Sequence, residues 1–336
     1  MAAVARKGAQ PRQGRQKIGT VPVYFLIALA SLACAPQVHA QAGGQITRIV
    51  VPFAAGGARE ILARTFHGEL AAALGQTIIV ENRPGAGGAI GTTSVAKAPA
   101  DGHTLLFAAS SHNVTALLAS TPAYDPIKDF APVANIGMQS YVLMASAKLP
   151  ARTVQELVSY AKAHPGELNY TSPGHGSSGH LAMAYFAKLA GIEIVHIPFK
   201  STQDATNDVI AGRSQALIVP NVGALPFAHD ERIRLLGVTS PKRSPFLPQV
   251  PAIAEALPGY AFESWFGLLA PARTPQPIVE HINAAVSGLL KDKVILERLA
   301  RQGVEPRPLS PDAFGQLIRD DYEAMAKIVK LVGRVQ

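Results

Sequence analysis

Alternation is the feature that most constrains this chain. Residues 46–53 form a strand-like apolar segment, and after Ala54-Ala55-Gly56-Gly57 the residues Leu62, Phe66, Leu70 and Leu74 recur every fourth position. That spacing lines them along one helix face. Gly75 follows, the residue type that most readily takes a left-handed helix cap, and 77–81 is strand-like again. One βαβ unit is complete by residue 81. Further strand-like segments lie near 103–108, 168–171, 192–197, 215–219 and 233–239, with a strand pair near 131–145. Helical patterns near 153–163, 177–189 and 202–211 separate them, and three more close the chain at 276–290, 294–302 and 311–331. This order predicts an α/β fold with a mainly parallel sheet.

The first forty residues obey a different logic. Arg6, Lys7, Arg12, Arg15 and Lys17 precede an apolar run from Val21 to Ala33, and Val38-His39-Ala40 follows. A basic start, a short apolar core and small residues at the end predict a secretory signal peptide cleaved after Ala40, with a periplasmic product. The run is too short for the roughly twenty residues of a spanning helix. Lipid anchoring at Cys34 is the alternative. Removing the leader takes the basic residues from 31 to 26 against 23 acids, so a formal charge of +8 falls to near +3. No basic stretch interleaved with aromatics remains, and no nucleic-acid partner is expected. About 296 residues then exceed what a single core usually serves, which predicts two lobes. The helical tail is expected to return to the first lobe: 41–138 plus 266–336 form lobe 1, 139–265 form lobe 2, and two crossings near 133–141 and 262–269 make a hinge.

Three loops after strand ends could carry chemistry. Ala54 and Gly57 lie where free backbone N–H groups and the helix dipole favour an anion. Arg59 sits two residues further on, where a cation opposes that dipole; it pairs with Glu60 or Glu69, or it clamps a ligand carboxylate. Ser177 and Ser178 open a predicted helix as caps and hydroxyl donors, and His180 falls on its first turn, there to pack locally or to meet a ligand. Neither serine has glycine at both i−2 and i+2, so the nucleophile elbow is absent. Ser110, Ser111 and His112 form the third loop. All three follow strand C-termini, where open α/β sheets bind ligands. The ten histidines show no His-Glu-x-x-His or comparable spacing, and cleavage discards the only cysteine, so neither a metal nor a cofactor is expected.

The chain resembles the extracytoplasmic solute receptors of the tripartite tricarboxylate transporter family, also called Bug receptors. Carrying the likeness are Pro52-Phe53 with Gly56-Gly57 and Ala63-Arg64, Val80-Glu81-Asn82-Arg83-Pro84-Gly85-Ala86-Gly87-Gly88, and Asp101-Gly102-His103-Thr104-Leu105. Gly176-Ser177-Ser178-Gly179-His180-Leu181, His196-Ile197-Pro198-Phe199-Lys200 and Leu247-Pro248-Gln249-Val250-Pro251 continue it, so that it spans 45–335. It implies a type II periplasmic-binding-protein fold, two α/β lobes joined by a two-crossing hinge, closing on a small organic acid for a membrane transporter. It places Phe53, Ala54, Gly57, the loop around Gly87, Ser110 and Ser111 on one wall, and Ser177, Ser178, His180 and Thr202 on the other. Two departures bear on the ligand: Arg59 stands where the family has a small or hydroxylic residue, and Pro220-Asn221 where members that bind amino acids or amides carry an acid. A gained cation and a lost anion disfavour an ammonium group and predict a dicarboxylate, aliphatic (C4–C6) or aromatic of terephthalate type, with Arg59 on the distal carboxylate. A monomer without catalysis is expected. An exported serine-dependent hydrolase and a ligand sensor for a signalling system are the other classes.

Overall fold

The computed structural model describes residues 46–332, Gly57 excepted. The leader, Cys34 and the cleavage site lie outside the described residues. In chain order the elements are β1 (Ile46–Val51), α1 (Ala58–Arg64), α2 (His67–Leu74), β2 (Thr77–Asn82), α3 (Ala89–Ala96), β3 (Thr104–Ala109), α4 (Ser111–Leu118) and β4 (Phe130–Ser146). Then come α5 (Val154–Ala163), β5 (Asn169–Ser172), α6 (Ser178–Ala190), β6 (Val195–Pro198), α7 (Thr202–Ile210), β7 (Ala216–Pro220), α8 (Asn221–Ala224), β8 (Ile233–Val238) and α9 (Ile253–Ala256). The chain ends with β9 (Glu263–Pro271), α10 (Gln276–Leu289), α11 (Lys293–Arg301), β10 (Glu305–Pro306) and α12 (Pro311–Val332).

The strands follow the order β2-β1-β3-β9-β4-β7-β5-β6, with β8 and β10 also on β4. β1 runs parallel to β2 and β3, and β5 parallel to β6 and β7, as βαβ units require. β9 and β4, however, run antiparallel to their neighbours, so the sheet is mixed rather than mainly parallel. β4 is the connecting piece. Its residues up to Ser140 pair with β9, and from Tyr141 onward it pairs with β7 and β8. Register shifts after Pro132 and Asn135 are bulges, which bend and twist such a strand.

Two local expectations change. The pair of strands near 131–145 is one strand of 17 residues. Gly137 within it is needed for close approach: a Cβ there would collide with the Glu305 carbonyl of β10. The helix expected through Leu62 and Leu74 breaks into α1 and α2, although Leu62, Phe66 and Leu70 still bury together. Thr65 donates its hydroxyl to the Ile61 carbonyl at 2.9 Å, and such back-bonding competes with the helix ladder. Arg298 of α11 takes the Thr65 carbonyl at 3.0 Å.

α12 ties the halves together. Phe314 and Ile318 pack with Val50 and Trp265 in one half, while Met325 and Ile328 pack with Leu181 and Phe186 in the other. Between them Asp321 is held by Asn113 Nδ2 at 2.7 Å and Trp265 Nε1 at 3.1 Å. Burial nevertheless pushes its carboxyl up to about 6. Among the described residues no helix is long and apolar enough to cross a membrane.

Candidate functional site

Two adjoining cavities, about 740 Å³ and about 310 Å³, open between the halves of the sheet. They share Phe53, Arg59, Tyr141, Ser178 and Ser264 as a common wall. Gly87, Ser110, Ser111 and Ser177 face the larger one; Ala54 and Thr202 face the smaller. Three separate loop systems, expected to converge because each follows a strand C-terminus, are thus close in space.

Arg59 stands at the junction. Its guanidinium carbon lies 4.0 Å above the centre of the Phe53 ring, and its Nε is buried without a partner. Neither acid that the sequence offers takes it. Glu60 accepts from the Gly56 N–H and from Arg64 Nε, both at 2.6 Å, and Glu69 pairs with Arg298 at 2.7 Å. The Gly56 amide first, and Arg64 next, hold the Glu60 carboxyl below its ordinary value. Desolvation pulls Arg59 the unfavourable way for a cation, yet a guanidinium does not give up its proton in proteins. A cation over an aromatic face recovers about 0.5–2 kcal/mol, less than a full ion pair in a buried position would.

The Phe53 platform is itself fixed by the glycine loop. A Cβ on Gly88, whose φ is +99°, would come within 3.1 Å of the ring edge, so no larger residue lets this loop lie there. Gly87 accepts from Thr115 Oγ1 at 3.1 Å, which fastens the loop to α4. Opposite, Ser177 caps α6: its Oγ accepts from the His180 N–H at 3.3 Å and donates to the Gly174 carbonyl at 2.7 Å. Gly179 lets the first turn of α6 press against the Ile218 carbonyl of β7. The free N–H groups and dipole of a 13-residue helix therefore border the cleft. Burial raises the Tyr141 hydroxyl, while Ser178 and the Arg59 charge act the other way, so it remains a donor at neutral pH.

Three expected site residues lie elsewhere. His112 is buried behind Ser111, stacked on Tyr124 at 5.1 Å and edge-on to Phe130 at 4.9 Å, with Nε2 on the Pro126 carbonyl at 3.0 Å. Burial takes it down to about 4, the behaviour of a neutral core histidine. His180 turns its ring away from the cleft and onto His196, 4.0 Å off. Asn221 is buried, accepts from the Val222 N–H at 2.7 Å and borders a separate cavity of about 500 Å³ with Lys242, Arg243 and Arg307. Gly57 lies outside the described residues. Conversely Tyr141, Gln139, Ser264 and His175 line the cleft without a sequence signal. Of the aromatics, Phe53 lines both cavities, Trp265 is core and Phe199 packs beside Val142.

Ser177 and Ser178 make no hydrogen bond to a histidine side-chain nitrogen among the described residues. Ser172 does, at 2.7 Å to His196 Nε2, but it is buried behind the loop.

A cleft between two α/β halves, bordered by helix N-termini and an unpaired cation, defines the class of solute receptors. The chain belongs to the tripartite tricarboxylate transporter family receptors, whose TctC model matches residues 62–334, and it is a periplasmic solute-binding protein of that type. It is 33% identical to Protein BugT of Bordetella pertussis over 289 residues, 85% of this chain and 89% of BugT. MatC from Rhodopseudomonas palustris, solved with bound malate, is 34% identical with a TM-score of 0.70, covering 84% of this chain and 99% of MatC. Rpa4515 of R. palustris, solved with adipate, is 35% identical with a TM-score of 0.73, covering 85% of this chain and 97% of its own.

Proposed function

We propose that the protein captures a dicarboxylate in this cleft, closing lobes divided near residues 138 and 265, and delivers it to a tripartite tricarboxylate-type membrane transporter without chemical change. The observation that carries the reading is Arg59, a half-buried cation whose buried Nε has no partner and which pairs with no carboxylate among the described residues, where two cavities meet. One ligand carboxylate would accept a two-pronged hydrogen bond from the guanidinium. The other would rest at the α6 N-terminus with the hydroxyls of Ser177 and Ser178. An ammonium group finds no free anion there: Glu60 is engaged, and burial raises Glu263 toward its neutral form. Malate and adipate, the ligands of MatC and Rpa4515, represent the aliphatic class; terephthalate represents the aromatic one.

A thermal-shift series tests this. A dicarboxylate at a hundred times its Kd adds about 2.7 kcal/mol to the folded state, a rise of several degrees. The half-amides of the same acids are expected to give little. Shifts with amino acids or amides, and none with dicarboxylates, would refute the assignment.

A further inference from the structure

Behind the α6 N-terminus three imidazoles meet. His175 comes from the loop after β5, His180 from the first turn of α6 and His196 from β6, and each offers a ring nitrogen within 4.8 Å of the others. The His180 and His196 rings stack at 4.0 Å, and His175 stands edge-on to them at 5.5 and 4.8 Å. Sequence spacing concealed this cluster because its members come from three separate segments.

The protons around it can be placed. Ser172 Oγ accepts from the Gly174 N–H at 3.2 Å and donates to the Gly174 carbonyl at 3.0 Å. Its 2.7 Å contact with His196 Nε2 is then made by the ring N–H. That leaves His196 Nδ1 as a bare lone pair, and this atom is buried without a partner. His180 keeps its lone pair on Nδ1, facing the Gly176 N–H at 3.1 Å.

We propose that His175, His180 and His196 form a site for a divalent transition-metal ion of the zinc class, with Zn²⁺, Ni²⁺ and Cu²⁺ as its chemical candidates. Three imidazoles with one open position suit these ions and not Mg²⁺ or Ca²⁺, which need oxygen ligands. An ion lies near the plane of each imidazole that binds it, so the parallel His180 and His196 rings must tilt to converge, and because bonds of about 2.0–2.1 Å set tetrahedral donors about 3.4 Å apart, the ring that is free to move must swing inward. His175 is that ring: it is exposed, and Gly174 and Gly176 on either side hold φ of +114° and +73°. His180 would exchange the Gly176 N–H for the ion. Since His175, Gly176, Ser177 and Ser178 all line the larger cavity, occupancy acts on the wall of the ligand cleft.

The test is calorimetric titration of untagged, chelator-dialysed protein with ZnCl₂ in a non-coordinating buffer. One saturable site is expected, weakened at least tenfold in His175→Ala, whose exposed side chain leaves the metal-free melting temperature unchanged. His281→Ala, at an exposed position of α10, is expected to bind as the parent does. No saturable Zn²⁺ binding by the parent overturns the site, and so does equal affinity in His175→Ala or equal weakening in His281→Ala. None of these outcomes depends on a carboxylate, so they are distinguishable from a failure of the proposed function.

Discussion

Arg59→Ala is expected to weaken dicarboxylate binding by about 10- to 100-fold, the equivalent of the 1.5–3 kcal/mol of a charge-assisted hydrogen-bonded pair. The ligand-free protein should not be destabilised by it. Arg59 has a buried, unpartnered Nε and leans on Phe53 alone, so its removal forfeits one aromatic contact and relieves an unpaired charge. Arg59→Lys should fall between the two proteins, because an ammonium keeps the charge without the planar fork. Monocarboxylates should lose little in either variant if the distal carboxylate is the one clamped. Calorimetry across these variants and ligands provides the check; parent-like affinity in Arg59→Ala would mean that the acid is held elsewhere.

Trp265→Ala is expected to cost about 3–5 kcal/mol of folding stability, the range for removing a large buried aromatic. Trp265 is 1% exposed, lies edge-on to Phe314 at 5.4 Å, and donates its indole N–H to Asp321. It therefore joins β9 to α12 where the halves of the molecule meet. Trp265→Phe separates packing from hydrogen bonding and should cost about 1–3 kcal/mol, the penalty of depriving a buried acceptor. The pH profile identifies the acceptor. Asp321 titrates at about 6 when folded, against near 3.9 for an unfolded aspartate, so the native state binds the extra proton between these values. Its contribution is present below pH 4 and is lost as pH rises through 6. Removing the indole donor raises the folded value further, so Trp265→Phe should lose more stability between pH 4 and pH 7 than the parent does. Denaturant unfolding at several pH values measures this; parallel profiles would contradict it.

Local rules carried much of the fold. Gly75 takes the left-handed cap with φ of 63°, Ser177 caps α6, and α10 and α12 lie within a residue of where periodicity puts them. What failed was non-local. Nothing within 131–145 says that one strand will serve both halves, because the reason for Gly137 lies in β10, far along the chain. The same limit separates Ser111 from His112. Neighbours on a helix point about 100° apart, so one reaches the cleft and the next the core, and the loop position alone does not choose between them. Tyr141 was hidden in the reverse way. It reads as an ordinary strand aromatic and becomes a cleft residue only because β4 changes partners at that position. Arg59 was legible because it broke a local rule: a cation at a helix start needs compensation, and the fold supplies an aromatic face and no acid.

The proposed function requires this cleft to hold an organic acid between Arg59 and the α6 N-terminus. A crystal structure of the complex with adipate or malate tests it most directly. One carboxylate is expected within hydrogen-bonding distance of the Arg59 guanidinium and the other against Ser177 and Ser178. An acid bound outside the two cavities, or one inside them that leaves Arg59 on Phe53 without a ligand oxygen, would contradict it.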